Sequence, residues 1–220
     1  MTTRLDGPRW GPASGGRPRK LVVLLHGLGA DGYDLIDLAP GWGQAVPDAA
    51  FVAPHAPEPC DIAPYGRQWF SVGDRTPARM LAGARVAAGH LDAFLDEEAA
   101  RLGIGAGDVG VMGFSQGAMM ALFTGLRRAP PPAVLLAYAG RLLDAEALPA
   151  EIRARPPVLL VHGEADEIVP AAASREAESA LTAAGVTVEA VFRPGLGHGL
   201  DEAGMALGAL ALQRYLGTAA

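Results

Sequence analysis

The sequence predicts an α/β fold: a mostly parallel central sheet flanked by helices, with no large cap domain. Three observations carry this. Short runs rich in Val and Leu recur along the chain. All but the last, "VTVEAVF", which alternates, are continuously apolar, as in strands buried on both faces. Longer stretches with helical spacing separate them, and strand–helix–strand repetition means right-handed crossovers around a parallel sheet. With 220 residues, half of them hydrophobic, the chain suits one domain, 1–220, with a substantial core.

The elements follow in order. Residues 1–20 form a polar segment rich in Gly, Pro and Arg. "LVVLLH" (21–26) reads as the first buried strand, stopped by Gly27. "AAFVAP" gives a second strand over 50–53, ended by Pro54. From 55 to 76 no period is visible, and a loop of that length in a compact domain is usually functional or disordered. Its "GRQWFSV" argues for order: Trp69 and Phe70 either anchor the loop or line a pocket. A long helix spans 77–101, with Met80, Leu81, Ala84, Ala88, Leu91 and Leu95 on one face and Gly103 as its stop. A strand over 109–114 runs directly into a helix over 115–128. Strands follow at 133–137, 158–162 and 186–192, and helices at 171–184 and 201–216. Gly185 is placed as the residue that ends the first of these helices.

Composition excludes some functions. Eighteen basic residues against 24 acidic ones give a net charge of −6, unlike a nucleic-acid binder, which needs a basic face. The lone cysteine, Cys60, cannot form an intramolecular disulfide and reads as a loop thiol. The first 20 residues lack the apolar core of a secretory signal. The apolar run 21–25 is far shorter than the roughly 20 residues that span a bilayer. These features lead us to expect a cytoplasmic protein with no integral membrane segment.

The chemistry centres on "GFSQG" (113–117). G-x-S-x-G between a strand and a helix is a nucleophile elbow. The serine occupies a sharp turn at a helix N-terminus, where free N–H groups favour negative charge. Glycines at −2 and +2 let strand and helix pack closely. A serine is a poor nucleophile without a base, and the base needs an orienting acid. In the chain order of this elbow type the acid comes next and the histidine last. "HGEADEIVP" leaves the fifth strand with two carboxylates, Asp166, which is favoured, and Glu164, which is the alternative. "GLGHGLD" leaves the sixth strand with His198. Ser115, Asp166 and His198 all lie just past the carboxyl ends of strands, the edge where open α/β sheets build their sites.

His26 and His162 end strands and read as turn ligands of the backbone. His90 is mid-helix, and Asp201 reads as a helix N-cap. An oxyanion hole needs two donors. The N–H of Gln116 is one, and the Gly-rich loop "HGLGADG" (26–32) supplies the other, best placed at Leu28. No phosphate-binding glycine motif is present.

Together, "LLHGLGADGYDL", "GRQWFSV", "GFSQGAMMAL", "HGEADEIVP" and "GLGHGLD" resemble the phospholipase/carboxylesterase family, which includes the acyl-protein thioesterases. The matches run from about residue 21 to 216. The resemblance implies an α/β-hydrolase fold and hydrolysis of small-molecule esters or thioesters, without cofactor or metal. It implies nucleophile Ser115, acid Asp166, base His198 and oxyanion donors at Leu28 and Gln116. It also implies that the 55–76 loop borders the acyl pocket. Trp69 and Phe70 are assigned there as substrate contacts, together with Ile168, two residues past Asp166. Many members carry Asp after the W-F pair, where this chain has Ser71, and members are often homodimers. The competing expectation is a non-catalytic ligand-binding relative, against which all three triad residue types are present.

Overall fold

The computed structural model describes residues 3–217. The ends of the predicted 1–220 span, residues 1–2 and 218–220, lie outside the described residues. Among the described residues the main sheet has seven strands in the order β1-β3-β2-β6-β7-β8-β9. These are β1 (Arg9–Trp10), β2 (Lys20–Leu25), β3 (Ala49–Val52), β6 (Val109–Phe114), β7 (Val134–Tyr138), β8 (Val158–Gly163) and β9 (Val188–Arg193). Only β1 runs antiparallel, pairing Arg9 with Val52 and Trp10 with Phe51. The six predicted strands are thus the parallel ones; the first five have continuous apolar runs buried on both faces, while β9, at the sheet edge, is only half-buried. In β2, Leu21, Val23 and Leu25 join one core while Val22 and Leu24 join the other. Each such side chain contributes about 1.5–3 kcal/mol by leaving water.

Helices cover both faces. On one lie α3 (Pro77–Leu102), α4 (Gln116–Arg127) and α6 (Ala172–Ala183). On the other lie α1 (Gly32–Ile36), α2 (Ala39–Trp42) and α7 (Glu202–Leu216). A short α5 (Leu148–Glu151) follows β7. Helix α4 is buried on all sides through Leu126, wedged between the sheet and α3. At Gly125 a Cβ would come within 2.5 Å of Leu135 Cδ2, so glycine sets how closely that helix approaches the sheet. Among the described residues no helix is long and apolar enough to cross a membrane.

Three differences from the sequence expectations have local causes. Part of the polar N-terminal segment forms β1, because Trp10 packs edge-on against Phe51 with ring centroids 5.8 Å apart. The 55–76 loop contains a two-stranded hairpin, β4 (Glu58–Pro59) with β5 (Arg67–Gln68), too short to leave a period. Helix α4 begins at Gln116 rather than Ser115, since Ser115 has φ +54°. Gly185 does end α6, at φ +78°, with the Val186 N–H donating to Leu181 O at 3.0 Å.

The topology places the site. From β2 the chain crosses to β3 on one side, then returns to place β6 on the other, with Leu25 beside Gly113. The carboxyl ends of β2 and β6 therefore diverge at a topological switch point, where the loops part and leave a crevice.

Candidate active site

The elbow is built by steric necessity. Ser115 adopts φ +54°, ψ −116°, a conformation that costs a non-glycine residue about 1–3 kcal/mol. A Cβ at Gly117 would sit 1.9 Å from Leu25 O, and one at Gly113 would sit 2.2 Å from Gly117 O. Both glycines of the motif are thus required for β6, α4 and β2 to meet. The Ser115 N–H donates to Tyr138 O at 2.9 Å, which holds the strained turn against β7.

The loops after β8 and β9 converge on the serine. They are joined by Glu164 N–H to Arg193 O and Ala165 N–H to Leu196 O, both 2.9 Å. A Cβ at Gly163 would meet Leu196 O at 2.2 Å, so glycine there lets the His198 loop cross. His198 Nε2 lies 3.0 Å from Ser115 Oγ, and His198 Nδ1 lies 2.7 Å from Asp166 Oδ2. Phe114 packs against the imidazole with centroids 5.0 Å apart. The structure therefore brings Ser115, His198 and Asp166 into one hydrogen-bonded chain. Glu164 turns outward to Arg175 at 3.0 Å, so of the two carboxylates Asp166 is the one that meets the imidazole. Asp201 caps α7 by accepting from Gly204 N–H at 2.7 Å.

Asp166 is held as a carboxylate. Burial of its side chain pushes its pKa up, but hydrogen bonds from His198 and from the Val169 and Ile168 N–H groups outweigh this and hold it below the usual carboxylate range. The two N–H groups donate to Oδ1 at 2.9 and 2.8 Å. A further neighbour of the carboxylate escaped the sequence reading. His162, with its side chain fully buried, places Nε2 3.2 Å from Asp166 Oδ2 and 2.7 Å from Val169 O. A carbonyl only accepts, so Nε2 carries the hydrogen. Nδ1 then faces Ser174 Oγ at 2.6 Å. His162 was expected to bond the backbone in its turn, and it does. Its contact with Asp166 depends on the path of the loop, which no local pattern encodes.

The oxyanion candidates also meet here. The Gly27 Cβ position would lie 3.4 Å from Ser115 Cβ, so the 26–32 loop passes over the serine. Among the described residues, neither the Leu28 nor the Gln116 N–H donates within the protein. The β4–β5 hairpin clamps this loop: Gly29 N–H donates to Arg67 O at 2.9 Å and Arg67 N–H to Ala30 O at 2.8 Å. The Arg67 side chain in turn binds Ala56 O and Pro57 O.

Trp69 and Phe70 are each 1% exposed. Burial supports the anchoring alternative, since in this conformation neither ring presents surface to a substrate. Trp69 Nε1 donates to His26 O at 2.9 Å. The Gln116 side chain straps the same segment, accepting from Trp69 N–H and donating to Phe70 O, both 2.8 Å. Where many resembled proteins have Asp after this pair, Ser71 bonds the Asp61 carboxylate. Ile168 is 71% exposed beside the acid. Among the described residues no group of three or more His, Cys, Asp or Glu is placed to hold a metal ion.

Comparison with known proteins agrees with this architecture. A family model described as phospholipase/carboxylesterase matches residues 13–213. Esterase YpfH of Escherichia coli (strain K12) is 29% identical over 194 residues, which is 85% of this chain and 79% of that protein. Acyl-protein thioesterase 1 of Neurospora crassa is 28% identical over 194 residues, covering 80% of this chain and 79% of the thioesterase. The crystal structure of esterase PE8 shares 42% identity at a TM-score of 0.93, covering 97% of this chain and 100% of its own. The elbow, the switch-point crevice and the three loops that meet there all lie within the matched span, and the chain belongs to the phospholipase/carboxylesterase family.

Proposed function

We propose that this protein is a serine hydrolase that cleaves carboxylic esters or thioesters through an acyl-enzyme on Ser115. The observation that carries the reading is the chain Ser115 Oγ, His198 Nε2 at 3.0 Å, His198 Nδ1, Asp166 Oδ2 at 2.7 Å. Relatives named as an esterase and an acyl-protein thioesterase support the substrate class. In this reading Oγ attacks the carbonyl carbon as its proton passes to Nε2. The N–H groups of Leu28 and Gln116 receive the oxyanion, which is the largest electrostatic contribution in such sites. The C–O or C–S bond then breaks as His198 returns the proton to the leaving alcohol or thiol. Water attacks the acyl-enzyme by the same route, with His198 taking its proton, and frees the acid. Asp166 holds the imidazole tautomer throughout. Exposed Ile168 contacts the substrate, and the 55–76 loop borders the site from its buried anchors. The whole span 1–220 acts as one domain, working in the cytoplasm as a homodimer.

The test is treatment with a fluorophosphonate followed by intact mass and peptide mapping. One stoichiometric adduct on Ser115, lost in His198→Ala, is the expected result. A panel of 4-nitrophenyl esters and acyl thioesters then ranks leaving groups. A folded protein that takes up no reagent, or a Ser115→Ala variant that keeps near-native turnover, refutes the mechanism.

A further inference from the structure

Six cationic side chains of the described residues are buried or half-buried: Lys20, Arg67, Arg127, Arg128, Arg141 and Arg193. Five have partners. Lys20 meets Asp108, Arg127 meets Glu151, Arg128 meets Asp92 and Asp96, and Arg193 meets Asp201. Arg67 binds two carbonyls. Arg141 alone among them has none, and its buried Nε lacks any acceptor. Desolvating a guanidinium donor without an acceptor is costly, so this position calls for an explanation.

Its place in the fold supplies one. Arg141 follows Ala139, which sits at φ +50°, and Gly140, whose Cβ position would lie 3.3 Å from Ser115 O and 2.5 Å from Ala118 Cβ. The chain therefore turns off β7 directly against the elbow. Arg141 then lines a cleft of about 320 Å3 with the aliphatic surfaces of Leu142, Pro170, Ala173 and Ala177. Pro170 belongs to the loop that carries Asp166, so the cleft lies between two of the loops that frame the serine. The one carboxylate on its lining, Glu176, belongs to an exposed residue and makes no ion pair with Arg141. A guanidinium is a rigid fork that matches a carboxylate or phosphate in two parallel hydrogen bonds.

We infer that Arg141 recognises an anionic group on the substrate, so that the favoured substrates are esters bearing a carboxylate or phosphate beyond an aliphatic spacer. This inference rests on the serine-hydrolase reading above. It deepens that reading by giving the substrate a charge.

The experiment compares matched esters in the wild type, Arg141→Gln and Arg141→Lys. One arm sets mono(4-nitrophenyl) glutarate, with its carboxylate on the acyl half, against neutral 4-nitrophenyl pentanoate. The other sets 1-butyrylglycerol 3-phosphate, with its phosphate on the alcohol half, against 1-butyrylglycerol. The readout is the anionic-to-neutral ratio of kcat/KM. In at least one arm, Arg141→Gln is expected to lower that ratio by about 10–100-fold, the usual worth of a charge-assisted bond. The loss should appear mainly in KM, with partial recovery in Arg141→Lys, and the arm that responds identifies the half that carries the charge. Glu176→Gln, which removes a negative charge from the lining of the cleft, should raise the ratio. An unchanged ratio in both arms overturns the inference, as does equal loss on charged and neutral esters, which marks a structural role. A protein that labels at Ser115 yet shows no arginine-dependent ratio refutes the Arg141 assignment alone. One that takes up no fluorophosphonate refutes the hydrolase reading and this inference with it.

Discussion

Acid should unfold this protein partly through His26, the buried first residue of the 26–32 loop. Its Nδ1 lies 2.7 Å from Gly27 O, and its Nε2 accepts from Ala56 N–H at 3.0 Å. The carbonyl can only accept, so the neutral Nδ1–H tautomer is locked in. A second proton on Nε2 would face a donor and lose the Ala56 bond. Burial, the main cause, depresses the pKa from 6.5 to about 4. The unfolded chain titrates at the ordinary value, so it binds the proton first as pH falls. The contribution of this histidine to stability is complete above about pH 6.5, is lost between there and about pH 4, and levels off below. The gap between 6.5 and about 4 is worth about 3 kcal/mol in full, of which about 2.5 kcal/mol is gone by about pH 4.5. Urea unfolding followed by tryptophan fluorescence at about pH 7.5 and about pH 4.5 measures it. Carboxylates with lowered pKa values, such as Glu98 and Asp166, also weaken the fold in acid, so the comparison is with His26→Gln. Glutamine can offer its carbonyl oxygen to Ala56 N–H without titrating. The variant should lose about 2.5 kcal/mol less than the wild type between the two pH values. Parallel losses in the two proteins would refute the locked-tautomer argument.

Gln116→Ala removes the strap on Trp69 and Phe70 and leaves a buried N–H and C=O without partners. The expected loss is about 2–5 kcal/mol in urea unfolding, and a loss under about 1 kcal/mol would show that the loop holds itself. Gly117→Ala drives a Cβ into the backbone at Leu25 and should cost more than about 3 kcal/mol. Gly89→Ala, at an exposed position in α3 with nothing within 4 Å, should gain roughly 0.5–1 kcal/mol. Thermal melts of the two variants that move in the same direction would contradict the steric account. His162→Leu removes the imidazole N–H that anchors Val169 O at 2.7 Å and lies 3.2 Å from Asp166 Oδ2, which loosens the Val169 N–H bond that holds the carboxylate pKa low. It should lower kcat about tenfold with little change in KM and move the acidic limb of the pH–rate profile upward. A stability loss with an unmoved profile would make His162 structural only.

The sequence by itself determined the parallel strands, the crossover helices, the elbow and the order of serine, acid and histidine. These rest on local or periodic signals. Continuous Val and Leu runs encode burial on both faces, and Gly113 and Gly117 encode close approach at one turn. It also marked Asp201 as a cap and Gly185 as a helix end, since both act within a few residues of themselves.

What depends on contact between distant segments came only from the tertiary structure. That Asp166 turns toward His198 and Glu164 toward Arg175 depends on the path of the loop after β8. Trp69 and Phe70 read equally as anchors or pocket walls in the sequence, and their burial is visible only in the structure. The strap from Gln116, 46 and 47 residues from its partners, has no signal in either segment alone. His162 meets Asp166 because the loop after β8 curls back. Arg141 stands out only once every other buried cation is seen to have a partner. A hydrogen bond depends on where two groups meet in space, and residue type and spacing fix that only within a helix, a strand or a tight turn.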